Sequence, residues 1–198
     1  RGLVYADLLT TYPANTITGK PDTITGTKVT TTPWGLARGF GTTVGVASTD
    51  RVLTTLSGTV ARRTIIVRYV RAGAGGGSAG RVFDNTQEQV NYAVGTSRFS
   101  YGRGFSTADG AWTTPASGVG TATNTPFVFA IAYDAGSTAN NPGIYINGSP
   151  VTVTRATDPI GSFAAGSTAY SLGNRAAGDR AFNGSLSDFL VFDSILTD

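Results

Sequence analysis

Thr125 to Asp134 reads TPFVFAIAYD, and its side chains alternate in a way that only an extended backbone can sort. Phe127, Phe129, Ile131 and Tyr133 fall on one face, and Val128, Ala130 and Ala132 on the other. Both faces are apolar, which predicts a buried strand. The next segment, GIYINGSPVTVTR, sets Asn147-Gly148 between the β-type runs Ile144 to Ile146 and Val151 to Thr154. Asn-Gly supplies the two positive φ angles of a tight hairpin turn, so these runs are predicted to pair. A loop (YSLGNR) and a last run (FNGSLSDFLVFDSIL) follow. Upstream, TIIVRYVR (64–71) and RVFD (81–84) read as strands joined by AGAGGGSAG (72–80). That glycine-rich stretch lacks the Gly-Lys-Ser/Thr ending of a phosphate cradle and has no helix after it, so it is read as a mobile connection.

The order of these pieces resembles the closing half of the laminin-G-like, concanavalin A-type jelly roll. The residues that carry the likeness are Tyr133-Asp134 at a strand end, Tyr145 to Gly148 in the hairpin, Leu172 to Arg175 in the loop and Phe182 to Leu196 in the closing strand. It covers Pro126 to Leu196 well and the earlier chain loosely, with Tyr69 or a neighbour where the family carries tryptophan, and with Ser187 and Asp188 where it often carries an acidic pair. The resemblance implies an all-β fold, a two-sheet antiparallel β-sandwich, of a type that usually binds and seldom catalyses. The predicted core is Ile65, Val67, Tyr69, Phe127, Phe129, Ile131, Ile144, Ile146, Val151, Leu172, Phe189 and Val191.

Length and composition allow the same class. A chain of 198 residues with 27 glycines, only 14% charged residues and frequent turn signals suits one sandwich better than a helical fold. The leader, residues 1–32, has a Thr-rich texture and reads as an N-terminal arm or edge segment, with the sandwich in residues 33–198. The start at Arg1 suggests a piece of a longer polypeptide. The apolar runs are of strand length, so no membrane span is expected.

Cysteine, methionine and histidine are absent, which excludes disulfides, thiol nucleophiles, His/Cys zinc sites and histidine general bases. Glycoside hydrolases of the same architecture use paired carboxylates, commonly two glutamates close together on one strand. This chain has a single glutamate, Glu88, and no two aspartates two or four apart on a predicted strand. Lys20 and Lys28 lie in the leader, away from any serine-base arrangement. The chain is read as non-catalytic.

Charge is uneven. Between Ala61 and Arg103 seven arginines face only Asp84 and Glu88, whereas from Gly104 onward three arginines face seven aspartates. One reading lets these arginines pair with acids of neighbouring strands. The other makes Arg62, Arg63, Arg68 and Arg71 a partner surface, one copy's basic middle against another's acidic end. No nucleic-acid motif accompanies the charge, so nucleic acid is disfavoured.

A glycan site on such a fold needs amides and carboxylates on loops at the sheet ends, and an aromatic platform. Two loops fit: DAGSTANN (134–141), offering Asp134, Asn140 and Asn141, and NRAAGDRAFN (174–183), offering Asn174, Arg175, Asp179 and Arg180. The competing reading is that these residues cap turns. Calcium-binding relatives imply that oxygens of Asp134, Asn140 or Asp179 are possible Ca²⁺ ligands, but no motif at EF-hand spacing is present and no cofactor is expected. Asn147-Gly-Ser and Asn183-Gly-Ser match the glycosylation pattern, and hairpin turns account for both more economically. Trp34 and Trp112 lie at turn edges, where an exposed ring would make a sugar platform and a buried one would pack the sandwich. Two functions are thus open: a glycan- or protein-binding module on an extracellular or particle surface, and a structural virion or surface-layer protein whose jelly roll assembles with its own copies or with capsid neighbours.

Overall fold

The computed structural model describes residues 2–8, 21–41, 49–116 and 119–196. Its strands are β1 (Leu3–Leu8), β2 (Thr23–Thr25), β3 (Lys28–Thr32), β4 (Gly35–Phe40), β5 (Arg51–Ser57), β6 (Arg62–Arg71), β7 (Ala79–Asp84), β8 (Glu88–Ala93), β9 (Arg98–Arg103), β10 (Gly110–Thr113), β11 (Pro126–Asp134), β12 (Gly143–Ile146), β13 (Ser149–Val151), β14 (Thr154–Thr157), β15 (Ala169–Leu172) and β16 (Gly184–Phe192). One sheet has the order β13-β12-β11-β6-β16-β4-β3, with β1 paired to the second half of β16; the other runs β14-β10-β9-β8-β7-β15-β5-β2. Strand pairings are antiparallel throughout. The fold is the expected jelly-roll β-sandwich.

Alternation decides which side chains lie between the sheets. In β11 and β6, Phe129 stands opposite Val67 and Ile131 opposite Ile65, all facing inward and all buried. The second sheet answers with aromatics: Phe99 meets Phe129 at a 5.3 Å centroid distance, and Phe83 meets Phe189 at 5.5 Å. Each such side chain contributes roughly 1.5–3 kcal/mol on burial. The predicted core lies in this layer, with Phe127 and Val151 packed at its margin. Asn147 (φ 51°) and Gly148 (φ 79°) form the expected turn, which brings Ile144 opposite Val151.

Two details, in the glycine-rich connection and at Asn183, differ from the sequence reading. The glycine-rich connection is pinned against residues 179–183: Gly76 N–H donates to Ala181 O at 2.8 Å, and Ala72 and Gly73 donate to Asn183 O. A Cβ on Gly76 would lie 2.8 Å from Asp179 O, so glycine serves close backbone approach there more than mobility. Asn183 is therefore no hairpin residue; it leads into β16 with its carbonyl held by that connection. The leader's residues 9–20 lie outside the described residues, while its β1, β2 and β3 pair with β16, β5 and β4, so described parts of it join both sheets.

The basic stretch is also resolved. Arg63 and Arg71 occupy inward positions at the two ends of β6 and are 4% and 8% exposed, so they are not part of a partner surface. Inward alternation at the strand ends, where the neighbouring sheet supplies polar partners, accounts for this. Arg71 Nε donates to Thr121 O at 2.9 Å and its guanidinium lies 4.1 Å from the Tyr92 ring centroid. Arg63 joins a cluster around Glu88, which is 1% exposed. Glu88 Oε2 lies 2.7 Å from Arg103 Nη1 and 3.6 Å from Arg63 Nη1, Oε1 accepts from Tyr101 Oη at 2.8 Å, and Tyr170 Oη also donates to the carboxylate. Arg63 further reaches Asp193 at 3.1 Å. Arg62 and Arg68 face outward and pair with Asp134 at 2.9 Å and with Asp188.

Burial, then the negative charge of Glu88, holds the phenols of Tyr101 and Tyr170 well above the ordinary tyrosine range, and burial raises Tyr69 too, against the pull of Arg71. Unfolding returns all three to about 10. The folded state therefore keeps more protons at alkaline pH, so this stabilisation is complete below about pH 10 and is lost as pH rises further. In an alkaline titration, phenolate absorbance from these tyrosines is expected to rise together with loss of β circular dichroism. Their ionisation with the fold intact would contradict the burial.

The two outer faces differ in chemistry. Across the first sheet, Pro150, Tyr145, Ala130, Ile66 and Leu190 form one cross-strand row. Across the second, Gln89, Gly102, Ala111 and Thr157 form one row and Arg81, Asn91, Ser100 and Thr113 the next. The first sheet's outer face thus holds an apolar row flanked by the Arg62–Asp134 and Arg68–Asp188 pairs, while these rows of the second are polar with small residues.

Candidate functional site

The polar face carries a cavity of about 310 Å³ between the β7–β8 turn, β9, the loop after β9, and β14. The turn is built by side chains folding onto their own backbone. Asp84 Oδ1 accepts from Thr86 N–H at 2.9 Å, and Asn85 Oδ1 accepts from Gln87 N–H at 3.2 Å and Glu88 N–H at 2.7 Å. This arrangement holds Thr86, a β-branched residue, at φ 73°. Such a left-handed position costs about 1–3 kcal/mol and persists where the surroundings over-determine it. Gly104 N–H donates to Gln87 O at 2.7 Å and ties the turn to the end of β9.

Two glycines give the cavity its shape. Gly102 lies opposite Gln89 in the ladder, and a Cβ there would come within 3.0 Å of the Gln89 amide nitrogen. A Cβ on Gly104 would collide with the Gln87 amide oxygen. The missing side chains thus make room for two amides. Neither amide forms a side-chain hydrogen bond among the described residues. Asp109, on the far wall, accepts from Phe105 N–H at Oδ1 at 3.1 Å, and among the described residues Oδ2 has no hydrogen-bond partner. Arg103 borders the cavity but is 2% exposed, its charge met by Glu88. Unspent amides, one open carboxylate and a glycine–alanine floor can receive a ligand rich in hydroxyl groups.

The residues expected from the sequence form two other groups. In the first loop, Asp134 Oδ2 accepts from Arg62 and Oδ1 from Gly136 N–H, and Asn140 Nδ2 donates to Asp134 O at 2.8 Å. Asn141 Oδ1 accepts from Trp112 Nε1 at 2.9 Å and from Arg155 Nη2 at 2.7 Å. In the second, Asn174 is fully buried and its Oδ1 accepts from Arg175 and Arg180 N–H, both at 2.9 Å. Arg175 clamps Asp179 with two bonds of 2.5 Å, which hold the Asp179 carboxyl down at about 2, and Arg180 Nη1 donates to Gly77 O. These side chains brace their own loops. Asp134 and Asp179 are committed to arginines, and among the described residues no group of three or more acidic or histidine side chains gathers as metal ligands would. Trp112 is fully buried, and Trp34 is half-buried with the Arg68 guanidinium 5.5 Å from its ring centroid, so neither ring lies bare as a sugar platform.

The sequence carried a faint signal for the cavity: the polar run DNTQEQ (84–89) between two β-type runs, and Gly102 and Gly104 two apart, hence on one face. What it lacked was the register that sets the amides over the glycines.

No family model matches the chain and no curated protein matches it. Solved structures do. The chain is similar to the binding domain of Paraclostridial Mosquitocidal Protein 1 at 12% identity and TM-score 0.67, covering 99% of this chain and spanning 50% of that one. It is similar to domain 4 of AbnA, a GH43 extracellular arabinanase from Geobacillus stearothermophilus in complex with arabinotriose, at 14% identity and TM-score 0.58, covering 98% and 94% of the two chains. It is also similar to the IT-sialidase CBM40 of Ruminococcus gnavus bound to α2,3 sialyllactose, at 13% identity and TM-score 0.51, covering 71% and 80%. At such identities the likeness shows the fold, a jelly-roll β-sandwich shared with lectin-like binding domains, and the laminin-G resemblance narrows to that architecture. No helix among the described residues is long and apolar enough to cross a membrane.

Proposed function

We propose that this chain is a non-catalytic glycan-binding module that works outside the cell or on a surface, and that the cavity beneath Gln87 and Gln89 is its site. The observation that carries this reading is the pair of unspent amides facing an open carboxylate across a floor of glycine and alanine. Both amides are only half-buried, so water meets them in the free chain and the hydroxyls of a sugar can take that water's place. The neighbours support the reading, since two of them were solved with oligosaccharides bound. A non-catalytic role fits because both oxygens of the single glutamate accept bonds inside the sandwich, which leaves Asp109 as the carboxylate at the cavity. Membership of the laminin-G family itself is a finer proposal that rests on the closing half of the sequence.

A glycan array followed by titration calorimetry tests this. The wild-type chain is expected to bind at least one oligosaccharide, the Gln87→Ala/Gln89→Ala variant to lose about ten-fold or more in affinity, and Asp134→Ala to bind unchanged. Loss on Asp134→Ala with Gln87→Ala/Gln89→Ala unaffected would return the site to the loop.

The apolar row of the first sheet favours a second reading, in which the sandwich is a brick of a particle or surface layer and meets another copy or a capsid neighbour through that face. With its arginines paired internally, such assembly would be apolar and insensitive to salt. Light scattering at low and high salt separates the readings: a monomer at both removes the brick.

A further inference from the structure

The charge of the cavity narrows its ligand, given that the cavity is the glycan site. Its two charged lining residues behave differently. The charge of Arg103 is met by Glu88, 2.7 Å from Nη1, and Nη2 donates to Val60 O, while its Nε is buried without a hydrogen-bond partner. Asp109 is exposed and one of its oxygens is open. Cations that share this face are engaged or distant. Arg81 is paired to Asp84 at 3.0 Å. Arg98 donates to Thr113 Oγ1 at 3.4 Å and stands four residues along β9 from Gly102, about 13 Å at the usual rise of a strand. Arg155, two residues before Thr157, is turned to Asn141 and to the carbonyls of Ala139 and Asn140.

We propose that the cavity selects uncharged sugars: the open oxygen of Asp109 and the amides of Gln87 and Gln89 take the hydroxyls of a neutral pyranose or furanose, and Asp109 repels sialic and uronic acids. A carboxylate is an acceptor and nothing else, so it needs donors such as sugar hydroxyls. A carboxylated sugar would place a second anion beside Asp109, and among the described residues the cavity supplies no free cation to answer it. Among the described residues no aromatic ring lines the cavity, so recognition rests on hydrogen bonds, for which a dense array of hydroxyls is the matching surface.

The test uses two panels on the purified chain: arabinotriose, lactose, cellotriose and xylotriose against 3′-sialyllactose and trigalacturonic acid, each by titration calorimetry. At least one neutral ligand is expected to bind ten-fold or more tighter than either acid. Asp109→Asn keeps the acceptor for Phe105 N–H and removes the charge; it is expected to weaken the neutral ligand several-fold and to narrow the gap to the acids. Gln89→Ala, on an exposed strand face, provides a second variant and is expected to weaken the neutral ligand with the fold intact by circular dichroism. Acids bound as tightly as neutral sugars, or neutral binding indifferent to both variants, overturns the inference and leaves the glycan reading standing. Binding to neither panel overturns the glycan reading and the inference with it.

Discussion

Replacing Glu88 by glutamine is expected to cost about 3–5 kcal/mol of unfolding free energy, because it removes the negative centre of a buried cluster and leaves its cations in place. Arg103 and Arg63 would keep their charges inside the sandwich, with side chains 1% and 4% exposed. Arg63 retains Asp193 at 3.1 Å, whereas Arg103 falls back on the carbonyl of Val60. Tyr101 and Tyr170 donate to different oxygens of Glu88, so in the amide one of them would meet the weaker acceptor of a carbonyl and the other an NH₂ group that cannot accept. For a domain of this size the loss corresponds to a fall of about 6–20 °C in Tm. Pairing Glu88→Gln with Arg103→Met provides the control. If Arg103 is the main uncompensated charge, the double variant is less destabilised than the two single changes added together. A Glu88→Gln protein that melts within a degree or two of wild type would show that the cluster is solvated and would remove the structural role assigned to this glutamate.

Trp112→Ala is expected to be comparably severe, about 3–5 kcal/mol, for a different reason. The indole is fully buried, lies 5.0 Å from the Tyr133 ring and 6.0 Å from the Tyr101 ring by centroid, and donates Nε1–H to Asn141. Truncation opens a void between the sheets and removes one of the donors to Asn141 Oδ1, so the 134–141 loop is expected to loosen as well. Trp112→Phe keeps most of the volume and forfeits the hydrogen bond, and it should be markedly milder. Urea unfolding reads both: the midpoint should fall with an unchanged slope. A loss below about 1 kcal/mol for Trp112→Ala would mean that the ring is not the wedge its burial indicates.

The two residues mark where sequence reasoning succeeds and stops. The alternation of Phe129, Ile131 and Tyr133, and the Asn147-Gly148 turn, were legible because both are local: side chains two apart share a face, and Asn-Gly tolerates positive φ. Arg63 obeys the same alternation, since it shares parity with Ile65, Val67 and Tyr69, yet its charge argued for an outward position. It turns inward because Glu88 and Tyr170, 25 and 107 residues further along, meet it there. The loops 134–141 and 174–183 were rich in the right chemical groups, but Arg62, Arg155, Arg175 and the backbone consume them. Trp112 shows the same limit, for its place at a turn edge favoured burial of the ring without deciding it.

By itself the sequence determined the all-β class, the faces of the long strands, the hairpin and most of the core, because hydrophobic period and turn chemistry act over two to four residues. Only the tertiary structure decided which polar groups are paired with one another and which face the cavity. Gln87, Gln89, Asp109 and Thr157 reach one cavity through the order β14-β10-β9-β8 and its register, and Glu88 gathers its partners from both sheets. Such convergence depends on contacts between residues far apart in the chain, and no local pattern encodes it.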